Sequence, residues 1–127
     1  MRNYDVYDQA CPTRLLLDHI ADKWAALILW RIHDGPIRFN QLQRKIDGIS
    51  TKVLSRALKE LERDGLVHRV AFATVPVTVE YSITPLGAHL AEKISAVTEW
   101  AEQNIETVLA AQERYDAQCG AVAGAVR

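Results

Sequence analysis

Residues 49–83, ISTKVLSRALKELERDGLVHRVAFATVPVTVEYSI, constrain this chain more than any other stretch. Ser50 suits a helix N-cap, because its hydroxyl can accept from a free amide of the first turn. No Gly or Pro follows until Gly65. Leu54, Leu58 and Leu61 recur at helical spacing with Val53 and Ala57, which makes one apolar stripe. Lys52, Ser55, Arg56 and Lys59 recur on another face, with Thr51 beside them at the N-terminal end. The acids Glu60, Glu62 and Asp64 come late. The exposed start of this helix is therefore basic and rich in hydroxyls. Lys and Arg suit phosphates and guanine edges, and Ser and Thr suit phosphates or either base type. Charge runs on helices are commonly no more than a solvated face, so the neighbouring segments decide.

Upstream, FNQLQRKI (39–46) is a short amphipathic stretch with Phe39, Leu42 and Ile46 on one side. Asp47 and Gly48 end it, and Ile49 leads into Ser50. Helix, short turn with Gly, helix is the helix-turn-helix pattern. Downstream, Val77, Val79, Tyr81 and Ile83 alternate with polar residues, a strand with one buried face. Residues 67–73 are its antiparallel partner. Pro76 belongs at the hairpin tip, where a missing N–H costs nothing. The expected fold class is α+β, mostly α. It is a winged helix-turn-helix with a two-stranded wing, flanked by N- and C-terminal helices.

Charge is distributed unevenly. Residues 37–72 carry eight Lys/Arg against four acids, whereas residues 73–127 carry three against seven. The total is only −1. A basic centre beside an acidic tail lets one face approach a polyanion. At 127 residues the chain makes one domain with a modest core. It has no long apolar run and no signal-like start, so it reads as soluble and cytoplasmic, without a membrane partner. Two cysteines do not make a disulfide framework. Enzyme motifs are absent: no H-E-x-x-H, C-x-x-C, Gly-rich phosphate loop or G-x-S-x-G. His19, His33, His68 and His89 lack metal-ligand spacing. Neither a cofactor nor a metal is called for. A Cys11 thiol peroxidase has no thioredoxin-like pattern behind it.

The flanks divide into segments. Residues 11–36 hold two helices: one with Cys11 as N-cap and Pro12 at its first position, and one opened by Asp22 and closed by Asp34-Gly35-Pro36. Trp24, Leu27, Ile28 and Ile32 are expected in the core, and Trp30 lies elsewhere on that helix. Residues 37–83 form the DNA-binding unit with its wing. Residues 84–116 form a long helix capped by Thr84 and ending near Tyr115. Its stripe is too long for so small a domain to bury, so it predicts a helix-mediated homodimer; the bland alternative is a partly solvated, frayed helix. Residues 117–127 read as a flexible tail.

These residues resemble the HxlR-type transcriptional regulators, a branch near the MarR-like winged-helix proteins. The resemblance covers about residues 11–100. It rests on CP at 11–12, DKW at 22–24, G-x-x-RFNQL at 35–42, GIS at 48–50, LERDGL at 61–66, VP-x-x-VEYSIT-x-x-G at 75–87, and Trp100. It implies a dimeric DNA-binding repressor or activator with the helix at 50–63 as recognition helix and the N- and C-terminal helices as dimerisation helices, on a pseudo-palindromic operator. It also implies an oxidant or small electrophile as effector, because several such proteins sense these through a Cys matching Cys11. The DNA-contact candidates are Arg38, Ser50, Thr51, Lys52, Ser55, Arg56 and Lys59. This chain departs from the family at Thr78, where a basic residue is common, and residues 70–92 contain no Lys or Arg. On its own chemistry, Cys11 at a helix N-terminus is a candidate reactive thiol, with Arg14 one turn on in its favour and Asp8 and Asp18 against. The alternative is a buried, inert cysteine. The rival to DNA binding is a winged-helix module for protein–protein interaction.

Overall fold

The computed structural model describes residues 4–126. The chain forms α1 (Pro12–Ile20), α2 (Lys23–His33), β1 (Ile37–Arg38), α3 (Phe39–Lys45), α4 (Thr51–Arg63), β2 (Val67–Phe72), β3 (Thr78–Ile83) and α5 (Pro85–Val126). One compact unit reaches to Ile94, and a second begins at Ser95.

Local chemistry sets the helix starts. The Asp22 carboxylate accepts from Trp24 N at 2.8 Å, and Ser50 Oγ accepts from Val53 N at 3.1 Å. Thr84 Oγ1 accepts from Gly87 N at 3.0 Å and donates to the Gly65 carbonyl at 2.7 Å. Each cap satisfies an amide that the first turn leaves free. The end of α4 is equally explicit. Gly65 takes φ +78, its N–H donates to the Glu62 carbonyl, and Leu66 N donates to the Leu61 carbonyl at 2.9 Å. That is the Schellman arrangement, and it needs a left-handed residue where Gly stands.

The first unit's core is apolar throughout. Ile28, Leu29 and Ile32 of α2, Leu42 of α3, and Leu54, Leu58 and Leu61 of α4 are at most 1 % exposed. Each such burial is worth about 1.5–3 kcal/mol. The α2 stripe is Ala25, Ile28, Leu29 and Ile32, the i, i+3, i+4, i+7 set. This corrects the expectation for Leu27. That residue lies off the stripe and is 43 % exposed, while Leu29 takes the core position.

The sheet has order β1-β3-β2 and is antiparallel. β2 and β3 form the two-stranded wing, in register from Val67↔Ile83 to Phe72↔Thr78. β1 adds a short third strand on the other edge of β3, pairing Ile37↔Tyr81 and Arg38↔Glu80. Thus Arg38 lies on a sheet edge and also N-caps α3.

α5 opens tightly packed. A Cβ on Gly87 would overlap the Leu66 carbonyl oxygen and press on Ile83. The helix continues through residues 117–126 to Val126, past the end expected near Tyr115. The alanines there are strong helix formers and outweigh Gly120 and Gly124. Arg127 lies outside the described residues. Among the described residues no helix is long and apolar enough to cross a membrane.

Candidate nucleic-acid interface

The second helix of the helix-turn-helix, α4, holds its stripe inward and its cations outward. Leu54, Leu58 and Leu61 fix its roll against the core. That leaves Thr51, Lys52, Arg56 and Lys59 exposed and Ser55 half-buried. Ser50 is exposed but is engaged as the cap. The structure thus brings Thr51, Lys52, Ser55, Arg56 and Lys59 together on one helix. It keeps Arg38 apart in sequence, on β1, where it is exposed.

The turn before α4 is pinned at both ends. Ile46 and Ile49 are each 7 % exposed, and Gly48 between them takes φ +85. A residue that sequence reasoning missed then fixes the helix entry. Gln43 Nε2 donates to Thr51 Oγ1 at 2.9 Å, tying α3 to the first residue of α4. A polar residue of α3 eight positions before Thr51 was the only available signal.

The electrostatics are simple. Among the described residues the sole ion pair is His19–Asp64, at 2.9 Å. Lys52, Arg56 and Lys59 are therefore free of carboxylate partners. Free surface cations are what a polyphosphate backbone can neutralise with release of its counterions. The wing is different. Val75 and Val77 are fully and largely exposed at its tip, and Thr74 Oγ1 donates to the Pro76 carbonyl at 2.8 Å. The tip carries no cation.

Cys11 is the other candidate. It is 6 % exposed although its sequence neighbours are open to solvent, and it lies outside the main core cluster. Residues 5–10 turn tightly just before it. Asp5 and Asp8 carboxylates accept from Tyr7 N and Ala10 N, and Cys11 N donates to the Asp8 carbonyl at 3.0 Å. The Arg14 guanidinium donates to the Tyr7 carbonyl at 3.0 Å, which ties this segment to α1. Cys119 is exposed on α5.

The apolar residues left outside are also placed. Leu15, Leu16 and Leu17 of α1 are 41–50 % exposed. In the second unit Val97, Trp100, Ile105, Val108 and Leu109 are exposed along α5.

Comparison with known proteins agrees with this architecture. The HxlR-like helix-turn-helix family matches residues 19–108. The HTH-type transcriptional regulator YtfH of Escherichia coli (strain K12) is 41 % identical over 113 residues, covering 89 % of this chain and 90 % of its own length. The solved structure of the transcriptional regulator ytfH from Salmonella typhimurium aligns with a TM-score of 0.83 at 41 % identity, covering 87 % of this chain and 99 % of that one. The redox regulator HypR in its reduced form aligns with a TM-score of 0.72 at 36 % identity, covering 78 % of this chain and 98 % of that one. The chain belongs to the HxlR-like helix-turn-helix family, and it is a transcriptional regulator rather than an enzyme.

Proposed function

We propose that this chain binds double-stranded DNA as a homodimer, with α4 as the reading helix in the major groove. The observation that carries this is the face of Lys52, Arg56 and Lys59: exposed, unpaired and held in one orientation by the buried leucines behind it. Thr51, Ser55 and Ser50 add hydroxyls, and Arg38 adds a backbone contact from β1. The exposed apolar residues of α1 and of the second unit supply what a second copy would cover. Two-fold symmetry then calls for a pseudo-palindromic operator.

Cys11 is the switch in this reading. Cys11 is buried at the start of a helix whose leucines face outward, so an adduct there must displace whatever packs against the thiol. An oxidant or small electrophile would thereby act on the dimer contact and alter the spacing of the two reading helices. Similarity to the redox regulator HypR supports this assignment.

The experiment is footprinting on the DNA flanking the protein's own gene, with and without a thiol oxidant. A protected inverted repeat that is lost or remodelled on oxidation is expected. No salt-dependent DNA affinity at all would favour the protein-binding module instead.

A further inference from the structure

A cavity of about 410 Å³ opens beside the helix-turn-helix. Leu27, Trp30, Arg31 and Asp34 line it from α2, and Lys45, Ile46 and Asp47 line it from the end of α3 and the following turn. Its size falls in the range of small-molecule sites, roughly 300–1,000 Å³. Its floor is apolar. Leu27 is 43 % exposed although it sits on a core helix, and Trp30 is half-buried. Its rim is charged, and the charges are uncommitted. None of Arg31, Lys45, Asp34 and Asp47 is in the one ion pair found among the described residues. Arg31 makes a single long hydrogen bond, from Nη1 to the Gly35 carbonyl at 3.4 Å.

We propose that this cavity binds a small aromatic monocarboxylic acid bearing a second hydrogen-bond donor, a hydroxyl or an amine. The ring lies on Leu27, Trp30 and Ile46. The carboxylate faces Arg31 and Lys45, where charge-assisted hydrogen bonds are strongest. The donor faces Asp34 or Asp47. Two cations against two carboxylates leave the lining formally neutral, which disfavours polyanions such as nucleotides. The site is well placed to act on α4. Ile46 and Asp47 lead through Gly48 and Ile49 directly to the Ser50 cap. A ligand that wedges α2 from this turn shifts the first turn of α4, where Thr51 and Lys52 lie. That effect on DNA rests on the proposed reading of α4; binding of the acid does not.

The test uses the full chain and 4-hydroxybenzoate, followed by the indole N–H resonance of Trp30, assigned with Trp30→Phe. Saturable binding with a Kd below about 1 mM is expected. Arg31→Ala should weaken it at least about tenfold, as should replacing the probe by benzoate or phenol. Leu27→Trp, which fills the cavity, should abolish it. Saturation should change operator affinity by at least about fivefold. An α4 variant that no longer binds DNA should still bind the acid, which separates this site from the DNA-binding proposal. Absence of a saturable shift up to about 10 mM overturns the assignment, as does phenol binding equally well or Leu27→Trp behaving as wild type. Protection of Trp30 from acrylamide that grows with protein concentration also overturns it, by giving the cavity to a second copy.

Discussion

His19 Nδ1 lies 2.9 Å from Asp64 Oδ2, joining α1 to the residue that caps the C-terminal end of α4. The two are 32 % and 16 % exposed, so the pair is partly shielded. Asp64 is an acid at a helix C-terminus, where the macrodipole opposes it, and the imidazole relieves that cost. We expect His19→Ala and Asp64→Asn each to lower stability by up to about 1 kcal/mol. In a double-mutant cycle by urea denaturation the two losses should not add. Full additivity would mean the contact contributes nothing.

Glycine to alanine should have opposite signs at two places in one helix. At Gly87 the new methyl meets the Leu66 backbone, and overpacking of this kind costs about 1–3 kcal/mol. At Gly120 nothing lies within 4 Å, and the helix gains about 0.5–1 kcal/mol. Thermal denaturation of the two variants checks both signs.

The reading of α4 makes a graded forecast. Arg56→Ala or Lys52→Ala should cost about 1–3 kcal/mol of specific binding if the residue reads a base, or lower the salt slope by about one if it meets a phosphate. Fluorescence anisotropy across a salt series distinguishes the two. Unchanged binding in the double variant removes α4 from the interface. Substitutions at the cation-free wing tip, such as Val75→Ala, should leave the salt slope where it was.

Burial of Cys11 predicts an order of reactivity. Iodoacetamide should modify exposed Cys119 at least about tenfold faster than Cys11, because Cys11 waits on local opening. Arg14→Ala frees the Tyr7 carbonyl and should speed the Cys11 reaction selectively. Diamide should alter DNA binding of wild type and Cys119→Ser, but not of Cys11→Ser. If Cys11→Ser responds like wild type, Cys11 is a structural cap.

Assembly is checked by sedimentation at micromolar concentration. A dimer is expected, with reading helices ~34 Å apart and half-sites about one turn apart. A monomer, or a strong site without inverted symmetry, refutes it.

What the sequence disclosed follows the range of the interactions. Asp22, Ser50 and Thr84 were legible as caps because each bonds within three residues. The α4 stripe was legible because its period persists over three turns. Leu27 was misplaced because α2 is apolar nearly all round, so hydrophobicity alone does not choose the buried arc. β1 is two residues long, too short for any period. The His19–Asp64 contact spans 45 positions, and nothing local marks it. The burial of Cys11 was equally hidden, since its sequence neighbours are all exposed.

The first unit's core excludes every charge, and one ion pair is all that the described residues form. Ionic strength therefore has little to grip in the folded chain itself. A titration from dilute buffer to high salt should leave the unfolding midpoint nearly still, while any hold on a polyanion falls steeply. Salt thus becomes a clean dial for this protein, able to turn recognition down without loosening what recognises.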